Sequence, residues 1–199
     1  MNRKRNVAIY VYDNAEVLDF AGPFEVFSVT AELNNDELFR VYVVAEEERL
    51  ITAVNGLLIM PHYTIHNCPP PDILVLAGGI GSRQQMQNAN VLVWVQRVAQ
   101  SGEIVMSVCS GALILGKAGL LDNLPATTHH EVFDVLAQAV PTATLRPDDR
   151  FVDNGRIITT GGITAGIDGS FHVVQRLYGT AVAYKTAQYM EYDWTPPSN

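Results

Sequence analysis

The sequence predicts an α/β fold built on a mostly parallel sheet with helices on both faces. Three observations carry this. Strand-like apolar runs alternate with helical patterns from one end of the chain to the other. Some of these runs are apolar throughout, and one of them, ILVLAGG, ends in a glycine turn, as buried strands do. The chain has 199 residues, of which 48% are hydrophobic, enough for one such domain with a sizeable core.

The first run, NVAIYVYD (Asn6–Asp13), is β-branched and aromatic and reads as a buried strand. In NAEVLDFAGPFEVFSVTAEL, Phe20, Phe24, Phe27 and Ala31 recur at helical spacing. Asp19 is the expected N-cap there, with Pro23 in the opening turn. LFRVYVVAEE supplies a second strand. LITAVNGLLIMP holds Asn55-Gly56 between two apolar arms, a hairpin signal. DILVLAGGIGS runs into a turn at Gly78, Gly79 and Gly81, and NVLVWVQRVAQSG is a helix ended by Gly102. EIVMSV is the next strand; it stops at Cys109 and gives way to the helix SGALILGKAG. A helix over HHEVFDVLAQAV follows, then two strand segments around Asn154-Gly155. The helices AGIDGSFHVVQRLYG and TAVAYKTAQYMEYDW close the chain, with TPPSN as a tail. No linker, repeat or low-complexity stretch interrupts this order, so residues 1–199 are expected to form one domain.

Composition narrows the function classes. Charged residues make up 17% and the formal net charge is −8, a poor match to a phosphate-binding surface, so no nucleic acid is expected as partner. The basic opening, Arg3-Lys4-Arg5, reads as a solvated tail. No apolar stretch follows it to make a secretory signal, and none elsewhere is long enough to span a bilayer, so no membrane is expected either. The two cysteines, Cys68 and Cys109, are too few for a disulfide framework and form no Cys-x-x-Cys. Both are expected to be free thiols, which suits a cytoplasmic protein.

In a sheet of this kind ligands bind beyond the carboxyl ends of the strands. Three loops stand there: Asp13–Asp19, Ala77–Ser82 and Cys109–Ser110. Cys109 lies at a sharp strand-to-helix turn, where a side chain is presented on top of the sheet. The helix N-terminus that follows brings free N–H groups and partial positive charge, which favour a nucleophilic thiolate. The plain alternative is an inert core cysteine. The N–H groups of Gly78, Gly79 and Ser110 are candidates for an oxyanion hole; the plain alternative is a tight turn. Asp19 is either a helix cap or a carboxylate that shares a proton with the thiol. Asp13 and Glu16 are weaker candidates in the same loop.

His129 and His130 follow some twenty residues after the elbow, so a Cys–His dyad is a further possibility, with His129 as secondary candidate. Glu131 reads as helix capping near Thr127 or Thr128. His62, His66 and His172 have no ligand spacing, no H-E-x-x-H occurs, and no metal site is expected. The GGIG segment lacks both the dinucleotide and the phosphate-loop spacing.

The segments VLDFAGPFEVF, DILVLAGGIG, SVCSGALILGKAGLL, ATTHH, GRIITTGGITAGID and YMEYDWTPP together resemble the ThiJ/PfpI superfamily, and within it the isocyanide hydratase-like branch. They cover nearly the whole chain. The resemblance implies a flavodoxin-like three-layer sandwich with a nucleophile elbow at Cys109. It implies Cys109 as nucleophile and Asp19 as the acidic residue beside it, where most of the wider superfamily carries Glu. It also places Ile163 and Thr164 near the cysteine and implies a homodimer. Ser110, Ala77 and His130 stand where Thr, Pro and Trp are frequent.

The activity so implied is a cofactor-free hydration of isocyanides to N-substituted formamides, acting on a small-molecule substrate. Two rivals remain open. One is another thiol-dependent enzyme of the superfamily, a glyoxalase or hydrolase. The other is a ligand- or redox-sensing domain similar to the N-terminal halves of AraC-type regulators. No helix-turn-helix segment follows EYDWTPPSN, which counts against a direct transcription factor.

Overall fold

The computed structural model describes residues 3–196, so the end of the expected tail, 197–199, lies outside the described residues. The strands are β1 (Arg5–Tyr10), β2 (Phe39–Ala45), β3 (Ile51–Thr52), β4 (Leu58–Ile59), β5 (Tyr63–Thr64), β6 (Ile73–Leu76), β7 (Ile104–Ser107), β8 (Pro125–Ala126), β9 (Thr144–Leu145), β10 (Phe151–Asp153) and β11 (Ile157–Thr160). The helices are α1 (Val17–Glu32), α2 (Ser82–Gln85), α3 (Ala89–Ser101), α4 (Ala112–Lys117), α5 (Phe133–Ala139), α6 (Ala165–Tyr178) and α7 (Thr180–Tyr189).

Seven strands form one sheet in the order β10-β11-β7-β6-β1-β2-β5. All neighbours run parallel except β10, which pairs antiparallel with β11 around the Asn154-Gly155 turn. The predicted hairpin is present as β3 and β4. The direction of travel across the sheet reverses between β1 and β6. The loops after β1, β6, β7 and β11 therefore lie side by side, because those strands are neighbours. This is the switch point at which an open α/β sheet binds ligands.

The apolar runs account for the core. All four residues of β6 and of β7 are buried, as strands covered on both faces must be. Tyr10, Phe27, Phe39, Met106 and Leu113 are among the largest fully buried side chains. Phe20, Phe27 and Ala31 of α1 are buried as their spacing predicts.

Three local expectations are corrected. Glu16, not Asp19, is the N-cap of α1, and it makes no side-chain cap bond. Helix α1 starts earlier than the Asp signal suggested, which puts Asp19 in its first turn, turned inward, and Pro23 in the helix interior. Arg3-Lys4-Arg5 is not a free tail: Arg3 pairs with Asp72, and Arg5, already in β1, pairs with Glu103 at 2.8 Å. Strand pairing beside these acids holds the segment down. Among the described residues no helix is long and apolar enough to cross a membrane.

Candidate active site

Cys109 has φ 56°, the left-handed region, although it carries a side chain. Such a conformation costs on the order of 1–3 kcal/mol and persists only where the surroundings impose it. Here three contacts do so. The Cys109 N–H donates to Gly161 O at 3.1 Å, and the Thr128 hydroxyl donates to Cys109 O at 2.8 Å. The Gly111 N–H closes the turn onto Val108 O at 2.9 Å. The side chain is not thrown into open solvent, as an elbow alone suggested. Cys109 is only 7% exposed and forms the floor of a pocket of about 360 Å³. Glu16, Gly79, Ile80, Arg83, His129 and Ile163 stand around it.

Asp19 is fully buried beside this floor. Its Oδ2 accepts the Gly78 N–H at 3.0 Å. The Gly78 N–H is thereby committed to the carboxylate, so it drops out of the expected oxyanion hole. Gly78 also has to be glycine: a Cβ there would sit 2.7 Å from Asp19 Oδ2 and 2.8 Å from Cys109 Cβ. The close approach serves the carboxylate and the cysteine. Gly79 adopts φ +99°, which L side chains rarely adopt. Asp19 Oδ1 is buried without a hydrogen-bond partner. The Cys109 thiol and the Ile163 N–H lie close enough to favour the charged carboxylate, but neither closes a bond of full geometry on that oxygen.

The electrostatics follow from burial. Desolvation raises the Asp19 carboxyl from 3.8 to about 7, against the opposing pull of the Gly78 N–H. Nearby Glu16 adds to the rise. Desolvation, and then the Asp19 charge, push the Cys109 thiol up to about 12; the N–H groups of Ser110 and Gly79 pull it down. The expected resting thiolate is therefore corrected. The helix terminus that should favour it is a short turn, and its N–H groups are outweighed by burial and the neighbouring carboxylate. Near neutral pH the two groups form a pair that holds one proton between about 7 and about 12.

The other candidates divide. Ser110 is buried, and its hydroxyl donates to Gly79 O at 2.9 Å, tying the glycine loop to the elbow. Ile163 lines the pocket at φ 49°, a strained value for a β-branched residue. Thr164 is turned away; its hydroxyl accepts from Arg150 at 3.0 Å, because the strained residue before it redirects the chain into α6. His129 lines the pocket, but its Nδ1 accepts the Glu131 N–H at 3.3 Å, so it caps the turn itself. That corrects the capping expected of Glu131. Of the weaker candidates, Glu16 reaches the pocket, while Asp13 is held by Arg49 and the Thr52 N–H.

Two residues escaped the sequence reading. Arg83 and Ile80 follow the glycine turn and line the pocket. A cation one turn beyond a glycine loop at a strand end was the available signal for Arg83.

A profile of the DJ-1/PfpI family matches residues 5–176. Isonitrile hydratase of Pseudomonas putida is 33% identical over 192 residues, which cover 96% of this chain and 80% of the hydratase. The HTH-type transcriptional regulator GbdR of Pseudomonas aeruginosa is 25% identical over 189 residues; the match covers 95% of this chain but 51% of the regulator. The crystal structure of a ThiJ/PfpI family protein from Pseudomonas syringae superposes with a TM-score of 0.86 at 32% identity, over 98% of this chain and 78% of that one. Drosophila melanogaster DJ-1beta shares the flavodoxin-like fold at 16% identity, with a TM-score of 0.85 over 96% of this chain and all of that one. The profile runs from the first residue of β1 through most of α6, across every loop that meets at the elbow, and the chain accordingly belongs to the DJ-1/PfpI family.

Proposed function

We propose that the chain is a cofactor-independent hydratase of isonitriles, the same compounds as isocyanides. Cys109 acts as nucleophile and Asp19 as acid and base. The observation that carries the reading is the buried Asp19 carboxyl, raised to about 7, next to the Cys109 thiol at the floor of the pocket. A general acid–base group is most effective when its pKa lies near the working pH.

The singly protonated pair is the reactive form. As Cys109 Sγ bonds to the terminal carbon of R–N≡C, the pair's proton passes through Asp19 to that carbon, leaving the thioimidate R–N=CH–S–Cys109 and an Asp19 carboxylate. Asp19 then takes a proton from water as the water oxygen adds to the same carbon, and returns it to nitrogen. The tetrahedral R–NH–CH(OH)–S–Cys109 collapses, the C–S bond breaks, and the hydroxyl proton returns to the pair. The product is R–NH–CHO. The N–H groups of Gly79 and Ser110 steady the charge that builds on sulfur in the first step and again in the last.

The small-molecule substrate, the homodimer and the reading of the chain as one domain are part of this proposal. The test is to incubate the purified protein with an alkyl and an aryl isonitrile and follow the N-substituted formamide. No turnover above that of Cys109→Ala overturns the hydratase reading. A second reading, a ligand-sensing domain, is favoured by the 25% identity with GbdR over nearly the whole of this chain. Saturable binding at the Cys109 pocket without turnover of isonitriles or glyoxals would select it.

A further inference from the structure

Tyr12 lies just beyond β1 and is buried, 3% exposed. Its hydroxyl donates to Ala77 O at 2.5 Å and, more distantly, to Gly78 O at 3.2 Å. The Ala77 carbonyl and the Gly78 N–H are the two ends of one planar peptide unit. The other end of that unit donates to Asp19 Oδ2. A hydrogen-bonded chain thus runs from the phenol, through a peptide, to the carboxylate, which lies beside the thiol. The ring that starts it is fixed by packing. Tyr10 lies against it with ring centroids 5.5 Å apart, and Gly81 closes over it, where a Cβ would lie 3.0 Å from Tyr12 Cδ2.

The peptide needs such a hold. The glycine pair that follows it is conformationally permissive, so the direction of the Gly78 N–H is not set by local backbone preference. Donation to a carbonyl also polarises the N–H of the same peptide, and hydrogen bonds in series strengthen one another. We propose that Tyr12 is a positioning residue whose hydroxyl orients and polarises the Ala77–Gly78 peptide, so that the Gly78 N–H holds the Asp19 carboxylate beside Cys109. The proposal rests on the reading of Asp19 and Cys109 as the reacting pair. Burial keeps the Tyr12 phenol protonated far above neutrality, so its O–H remains a donor wherever the pair titrates. The other charged or titratable groups around the pair are Glu16 at the N-cap of α1, Arg83 on α2, and His129 and Glu131 across the pocket.

The experiment uses Tyr12→Phe, which removes only the hydroxyl. Alkylation of Cys109 by iodoacetamide is followed between pH 5 and 9, with mass spectrometry of the peptides to separate Cys109 from Cys68. In the unmodified protein the rate rises through the Asp19 midpoint, because only the ionised carboxylate can draw the thiol proton. A weaker Gly78 donor stabilises that carboxylate less. The midpoint is therefore expected to move upward by about 0.2–0.6 units, the size of a 10–30% loss in one charge-assisted hydrogen bond. The isonitrile pH–rate profile should move with it, while KM stays put. A midpoint unmoved to within about a tenth of a unit, where a shift of at least that size follows from the bond lost, overturns the proposal. Should the Phe variant fail to fold, 3-fluorotyrosine placed at position 12 gives the opposite sign: a more acidic phenol is a stronger donor and lowers the midpoint. An unmoved midpoint there overturns the proposal equally. Alkylation needs no substrate, so a shift without isonitrile turnover upholds the role of Tyr12 and removes the hydratase reading.

Discussion

Asp19→Asn should make the folded protein progressively more stable than the wild type as pH rises from about 4 to 7. Asn keeps the shape of the side chain, and its carbonyl oxygen can still accept the Gly78 N–H. What it removes is the ionisation. The Asp19 carboxyl is raised in the folded state from 3.8 to about 7. Below the lower value the group is protonated in both folded and unfolded chains and has no linkage effect. Between the two, the unfolded chain ionises while the folded chain keeps its proton, and stability falls by about 1.4 kcal/mol per pH unit. Above the upper value both are ionised and the penalty is constant, at most about 4 kcal/mol. Residual hydration of the pocket and proton sharing with Cys109 reduce this to roughly 2–4 kcal/mol. The Cys109 shift lies outside this window, since its thiol titrates from 9.0 to about 12. The assay is urea unfolding of both proteins at half-unit steps from pH 4.5 to 8.5, with the free energy taken from two-state fits. The gap between the two should widen in favour of Asn and level off above 7. Two curves that stay parallel across this range would show that Asp19 titrates normally, and the account of the pair would fall with them.

Four other outcomes follow from the geometry. Isonitrile turnover should rise with pH through about 7 and then hold level, because below that value the pair carries two protons and lacks a base; a rate that is flat from pH 5 to 9 contradicts the shared-proton mechanism. Asp19→Asn, although folded, should lose on the order of 10²–10⁴ in kcat, measured as formamide release, and a loss below tenfold would remove Asp19 from the chemistry. His129→Ala should cost less than about tenfold, since a capping histidine contributes little to proton transfer, so a loss matching that of Asp19→Asn would restore the Cys–His dyad. Gly162→Ala places a Cβ 2.1 Å from His129 Cδ2, and thermal melts should report a destabilisation of about 1–3 kcal/mol; an unchanged melting temperature would mean that His129 moves freely.

The alternation of strands and helices was legible because its cause is local. Short β-branched apolar runs such as ILVL and IVMS, ended by glycine-bearing turns, read as strands covered on both faces, and the short turns between strand and helix leave few connections open. The elbow was legible for a similar reason, since the change of period at Cys109 is abrupt. Protonation was not. A helix N-terminus argues for thiolate from sequence alone, whereas the opposing effect, burial of both Asp19 and Cys109, depends on how α1 packs against the sheet. The Gly78 N–H was misassigned for the same reason: whether a backbone donor faces a ligand or a carboxylate is a matter of a few ångströms between segments 59 residues apart. Thr164 was carried along with Ile163 by resemblance, and the positive φ of Ile163, which turns Thr164 toward Arg150, has no mark in the residue type.

Two unfavourable features meet at one point of this fold. Cys109 holds a left-handed backbone conformation, and at the third residue of α1 a carboxylate is buried with one oxygen unpartnered. Either could be relieved cheaply. Glycine at 109 would remove the backbone strain, and Asn at 19 would remove the ionisation penalty while keeping the Gly78 bond. Packing therefore gives no reason for a cysteine and an acid in these places. Each becomes intelligible through the other. The strained turn aims the sulfur at the pocket and at Asp19, and burial lifts the carboxyl to a pKa at which it can both take and return the thiol's proton. The expense in stability and the capacity for proton transfer are one physical fact, the desolvation of Asp19. A measurement that finds the first absent must also find the second absent.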